Sequence, residues 1–186
     1  MLSRFFRSQP GLGRRDRGLL ADVVFDVLRN RRLYAHLAQA GEGRLERRLA
    51  LLSPAAAALP RSPAESAWLA RSATLDRAAL GAALRYSLPD WLAERIARDA
   101  PAGEFDALAA SLLQAAPLDL RVNTLKADRA RVLAALADAG IEAHAHEAVG
   151  TAIRVAGNPA IERLAAFTEG WFEVQDLGSQ RLCRFA

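Results

Sequence analysis

The spacing of apolar residues changes once along this chain, at Pro117, and that change limits the folds open to it. Upstream, apolar residues recur every three or four positions, which lines them up on one stripe of a helix. Downstream they alternate with polar residues, as in a strand with one buried face. At 186 residues there is room for one ordinary domain or two small ones. A helical region followed by a small α/β region is the expected arrangement.

In the upstream region Leu20, Val23, Val24, Val27 and Leu28 form a single stripe, which predicts one long helix from about Arg14 to Ala38. Met1 to Arg15, rich in arginine and free of acid, reads as a frayed basic arm. Gly41-Glu42-Gly43 breaks the pattern, and short alanine-rich helices follow over 45–52, 64–72, 75–84, 89–99 and 105–115. Ser53-Pro54, Pro60 to Pro63 and Pro101 to Gly103 separate them. Ser87 stands where an N-cap belongs, ahead of a helix expected to bury Trp91, Leu92 and Ile96.

Downstream, Leu118 to Thr124 alternates as a strand, and Asp128 caps a helix that turns Val132, Leu133 and Leu136 inward before Gly140 ends it. Ile141–Glu147 and Ala152–Ala156 read as strands. A short helix follows Asn158-Pro159, and Trp171–Gln175 is the last strand. The order β-α-β-β-α-β is that of a ferredoxin-like or RNA-recognition-like sandwich. The segment from Trp171 on also reads as a strand feeding an apolar helix, the opening of a nucleotide-binding sheet whose remainder is missing.

Charge is unevenly spread. Residues 1–50 hold 11 basic and 5 acidic side chains, whereas the rest of the chain carries a net of −2. All basic residues but Lys126 are arginines, whose planar fork suits phosphate, so a polyanion partner is expected. A lone cysteine, Cys183, excludes a disulfide framework and a multi-cysteine zinc site and suits a reducing cytoplasm. No apolar run reaches the ~20 residues of a membrane helix.

Several candidate motifs have plainer explanations. Gly11-Leu12-Gly13 follows no strand and lacks the third glycine of a dinucleotide loop, so it reads as a turn. His144 and His146 share one strand face but have no third ligand nearby in sequence, so no metal is expected. Cys183, beside Arg181 and Arg184, reads as a small helical hydrophobe. The chemistry that stands out is Arg121 and Asn123 on the polar face of the first strand, with Lys126 just beyond. Two cations flanking an amide can hold an RNA backbone and inspect a base. Arg14, Arg15 and Arg17 are expected as outlying phosphate contacts.

Leu120-Arg121-Val122-Asn123-Thr124-Leu125-Lys126, with Glu169-Gly170-Trp171-Phe172-Glu173-Val174-Gln175-Asp176 and Gly178-Ser179-Gln180 about fifty residues on, resembles the Fmu/Sun (RsmB-like) family of ribosomal RNA cytosine-C5 methyltransferases. Leu12-Gly13 through Arg29 and Ser87 to Leu92 resemble its N-terminal helical region. The resemblance implies an all-helical NusB-like domain over 1–115, an RNA-recognition-like α/β substrate domain over 116–168, and the start of a truncated Rossmann-like methyltransferase domain over 169–186. It implies that the parent enzyme uses S-adenosylmethionine to methylate carbon 5 of a cytosine in structured RNA, commonly small-subunit ribosomal RNA. The cofactor loop and both family cysteines are expected beyond this chain, and Cys183 matches neither. The chain alone is then an RNA-gripping part with no catalytic residue and no cofactor of its own. The rival reading is a non-catalytic RNA- or protein-binding adaptor with a NusB-like helical module. An adaptor should end in a capped element, whereas Trp171–Ala186 is expected to leave an apolar helix dangling.

Overall fold

A computed structural model describes residues 2–183. The chain divides into two compact units, one ending at Gln114 and the other beginning at Ala115.

The first unit is helical: α1 (Leu2–Ser8), α2 (Arg14–Arg29), α3 (Arg31–Ala38), α4 (Leu45–Leu52), α5 (Pro63–Ala73), α6 (Ala82–Arg85), α7 (Asp90–Asp99) and α8 (Phe105–Ser111). The single long helix expected over 14–38 is two. The Asn30 amide nitrogen reaches the Asp26 carbonyl at 3.1 Å, alongside the backbone N–H of Asn30 at 3.0 Å, and the chain turns there. A side chain that competes for helix carbonyls is a ready C-cap. Of the expected stripe Val23 is buried, whereas Leu28 is exposed. Within the basic arm, Leu2–Ser8 form α1, and Arg14 and Arg15 already belong to α2.

Two small cores hold this unit. Leu33, Tyr34 and Leu37 pack with Val27, Leu49, Leu52 and Leu80, and Leu88, Ala93 and Ala109 pack with Tyr86, Leu92, Ile96 and Phe105. Burial pushes the Tyr34 phenol up, aided by its 2.9 Å bond to Asp26. Helix α5 begins with a capping box in which Ser62 and Glu65 satisfy each other's backbone N–H groups. The helix expected over 75–84 is interrupted, giving a short 3-10 turn at Arg77–Ala79 and then α6. Ser87 does not cap α7. It takes a left-handed conformation (φ 52°), its Oγ accepts from the Leu33 N–H at 3.1 Å, and Pro89 holds the cap position. Trp91 is 68% exposed, because the inward face of α7 runs through Leu92, Ala93 and Ile96.

The second unit is β1 (Leu118–Val122), α9 (Arg129–Asp138), β2 (Ala143–Ala145), β3 (Ala152–Val155), α10 (Ala165–Thr168), β4 (Phe172–Val174) and α11 (Leu177–Leu182). Its four strands form one sheet in the order β2-β3-β1-β4, every neighbouring pair antiparallel. This order follows from two interleaved β-α-β halves and is that of a ferredoxin-like sandwich. One face, carrying Leu120, Val122, Ile153, Val155 and Phe172, is buried against Val132 and Leu136 of α9 and against Ile161 and Ala166. The guanidinium of Arg131 lies 3.9 Å over the Trp171 ring at the edge of this core.

Two expectations about the end of the chain change. The strand expected to open a separate sheet pairs with β1, with Leu120 opposite Val174, Arg121 opposite Glu173 and Val122 opposite Phe172. It is therefore the fourth strand of this sheet. Nor does the following helix dangle over its described residues. Asp176 caps α11 by accepting from the Ser179 N–H at 3.1 Å, and Gln180, 4% exposed, donates to the carbonyls of Leu120 (3.2 Å) and Gln175 (3.0 Å). Residues 184–186 lie outside the described residues, and Arg184 with them.

Candidate functional site

Strand β1 ends at Val122, and the side chain of the next residue, Asn123, explains why. Its Oδ1 accepts from the Leu125 N–H at 3.2 Å, forming an Asx turn. Its Nδ2 donates to the Gly170 carbonyl at 3.0 Å, and its own N–H donates to the Trp171 carbonyl at 2.8 Å. The carbonyl of Asn123 takes the N–H groups of Lys126 and Ala127 at 2.9 and 3.0 Å. Asparagine thus serves both sides of the turn, fixing the end of β1 against the segment leading into β4. The tip of the turn carries Leu125, which is 94% exposed.

Lys126 lies on the far side of this turn, its Nζ donating to the Glu169 carbonyl at 2.8 Å. Gly170 has a φ of 75°, a conformation that disfavours any side chain, and a Cβ there would come within 3.2 Å of the ammonium. Arg121 forms an ion pair with Glu173, directly opposite it on β4. Arg121, Asn123, Lys126, Gly170, Phe172 and Glu173 together line an open depression of about 260 Å³. The three residues singled out on β1 and its turn are therefore brought together, two cations around one amide. Sequence reasoning missed Glu173 and Gly170. Both could have been found by pairing β1 with β4, as the sandwich order requires.

Beside this depression, on the same polar face, Asp119 is only 3% exposed. It accepts two bonds from Arg154, at 2.8 and 3.0 Å, and one from the Leu177 N–H at 3.3 Å. The guanidinium holds the Asp119 carboxyl below the usual carboxylate range. His144 is directly opposite Arg154 on β2, and the Nδ1 of His146 accepts from the Ala148 N–H at 3.2 Å. Among the described residues no group of three His, Cys, Asp or Glu is placed to hold a metal, and no helix is long and apolar enough to cross a membrane.

The other predicted contacts lie in the first unit. Arg14 and Arg15 open α2 and are exposed, with no ion pair or side-chain hydrogen bond among the described residues. Arg17 is engaged: its Nε donates to the Leu12 carbonyl at 2.8 Å and its guanidinium lies 5.9 Å from the Phe6 ring centre. It helps close the turn ahead of α2.

A family model described as "Methyltr_RsmF/B-like, ferredoxin-like domain" matches residues 88–162, from just before α7 to just past β3. Residues 88–162 are thus similar to the RsmF/B-like ferredoxin-like domain. Curated relatives agree with the kinship to the Fmu/Sun (RsmB-like) family. A probable ribosomal RNA small subunit methyltransferase B of Synechocystis is 36% identical over 57% of this chain and 24% of its own length. Ribosomal RNA small subunit methyltransferase B of Pectobacterium carotovorum is 38% identical over 51% of this chain and 22% of its own length. The chain thus spans about a quarter of the curated relatives it matches. The crystal structure of PH0851 shares the fold, with a TM-score of 0.65 at 19% identity, covering 94% of this chain and 47% of that one. The depression at the end of β1 lies at the rim of the RsmF/B-like domain, with Arg121, Asn123 and Lys126 inside the matched residues and Gly170, Phe172 and Glu173 beyond them.

Proposed function

We propose that this chain is the RNA-holding part of an S-adenosylmethionine-dependent ribosomal RNA (cytosine-C5) methyltransferase. The observation that carries the reading is the convergence of Arg121, Asn123 and Lys126 on one open depression within a domain shared with such enzymes. A guanidinium and an ammonium grip phosphate oxygens, and the fixed amide between them, with one N–H on Gly170 and one lone pair on Leu125, keeps its second N–H and second lone pair for a base edge or ribose. Exposed Arg14 and Arg15, in the helical unit that we read as NusB-like, add outlying phosphate contacts. The partner class is structured RNA, with small-subunit ribosomal RNA the specific expectation, in the cytoplasm.

The described residues do not fit the methyl donor. Their sheet is wholly antiparallel, so it has no parallel strand running through a glycine-rich loop into a helix, and Gly178 lies inside α11 with the Asp176 carboxylate 2.9 Å from where a Cβ would be. Cys183 is exposed at the end of that helix and, among the described residues, has no histidine or carboxylate partner. The cofactor loop and the reacting cysteines belong, on this reading, to a Rossmann-like domain into which β4 and α11 lead.

The test replaces Arg121 and Lys126 by alanine and follows RNA binding by fluorescence anisotropy over a series of salt concentrations. Each lost phosphate contact should flatten the slope of log K against log salt by about 0.7–0.9, and affinity should fall at least about tenfold at low salt. Unchanged affinity at low salt removes the assignment.

A further inference from the structure

We propose that the carboxylate of Glu173 is a built-in competitor for the phosphate site at Arg121; this rests on the RNA-holding reading above. Arg121 and Glu173 face each other across the β1–β4 register, and both line the depression that also holds Lys126. A carboxylate and a phosphate offer the guanidinium fork the same pair of acceptor oxygens. Glu173 therefore occupies the position from which a phosphate would have to bind.

The three partners differ in how easily they yield. Both side chains of the Arg121–Glu173 pair are about half exposed, at 46% and 56%, and an ion pair so open to water contributes little to stability. Opening it is cheap. Lys126, by contrast, spends one donor on a neutral carbonyl, that of Glu169, and among the described residues has no carboxylate within ion-pair distance, so its charge is already available. An incoming RNA can bind Lys126 first and then displace Glu173 from Arg121. Isolated phosphates, or polyanions with the wrong spacing, meet a site whose second cation is already neutralised. Glu173 thus raises the demand for two correctly placed phosphates and penalises non-specific binding.

The experiment uses the full chain, a structured ribosomal RNA fragment and an unrelated RNA of equal length. E173Q should tighten the unrelated RNA about threefold to tenfold at low salt and steepen its salt slope by about one phosphate contact. The comparison variant is E147Q, which removes the same charge from an exposed residue outside the depression. It should change binding far less. On an R121A background, E173Q should have no effect, because the competition has lost its object. If E173Q and E147Q behave alike while R121A still weakens binding, the competitor is overturned and the RNA-holding reading stands. If E173Q lowers the melting temperature and leaves both RNAs unaffected, Glu173 is only a cross-strand stabiliser. If neither R121A nor K126A alters RNA affinity, both readings fall together.

Discussion

Asp119 shows how far one residue's environment can depart from its sequence pattern. Alternation along β1 puts it on the polar face with Arg121, and it does lie there, yet α11 crosses that face and leaves it 3% exposed. A carboxylate so placed must be fully paired, and it accepts from Arg154 twice and from the Leu177 N–H once. Replacing it by alanine strands a guanidinium and a backbone N–H together. Because Arg154 stays about one-third exposed, the cost should be nearer 2–3 kcal/mol than the ~3–5 of a fully buried broken pair. The folded-state pKa is depressed, so this stability is present above the ordinary value of 3.8 and is lost as pH falls below it. Urea melts of wild type and D119A should therefore differ at pH 7 and converge in strong acid. A difference that persists unchanged to pH 2 would point to packing rather than charge. The pairing was not legible beforehand, since β3 and the start of α11 reach Asp119 from 35 and 58 residues away.

At the scale of elements, what was legible was whatever a local pattern controls. Helix α4 falls on the residues that periodicity assigned, and the capped helix after Asp128 stops at Gly140, whose φ of 70° is the left-handed end signal. The misreadings came from side chains used over long distances. Asn30 splits a helix whose apolar stripe looks continuous, and Ser87 serves Leu33 rather than its own helix. The Gln175-Asp176…Ser179-Gln180 stretch was read as a family signature and turns out to have a mechanical reason. Asp176 caps α11, and Gln180 ties that helix to β1 through the carbonyl of Leu120 and to the end of β4 through that of Gln175. Gln180→Ala leaves both carbonyls short of a donor beneath the one buried side chain of α11, which should cost about 1–3 kcal/mol. Hydrogen exchange should report it locally: the amides of α11 should lose protection while those of α9 keep theirs. Equal loss in both helices would mean that α11 opens only with the whole unit.

For the whole molecule, the order of elements in the second unit was readable because β-α-β-β-α-β admits few sheets, and the observed β2-β3-β1-β4 is the one that interleaves its two halves. The same topology argues for a division of labour. With α9 on one face of the antiparallel sheet and α11 over Asp119 on the other, what stays open is the depression at the end of β1, and it carries arginine, lysine and amide groups. Chemistry of the kind carried out by 5-methylcytosine enzymes needs a thiolate beside the base and a bound methyl donor. The only cysteine is exposed just past a short helix, with Arg181 close to it in sequence and, among the described residues, no base bonded to it. Binding and transfer should therefore separate in this chain. Incubated with structured ribosomal RNA and radiolabelled S-adenosylmethionine, it should incorporate no label above a no-protein control, and calorimetry should detect no heat of cofactor binding, under conditions where the same RNA is retained at low salt. Methyl incorporation that disappears in C183S would show that this chain supplies the reacting thiolate itself, and would overturn that separation.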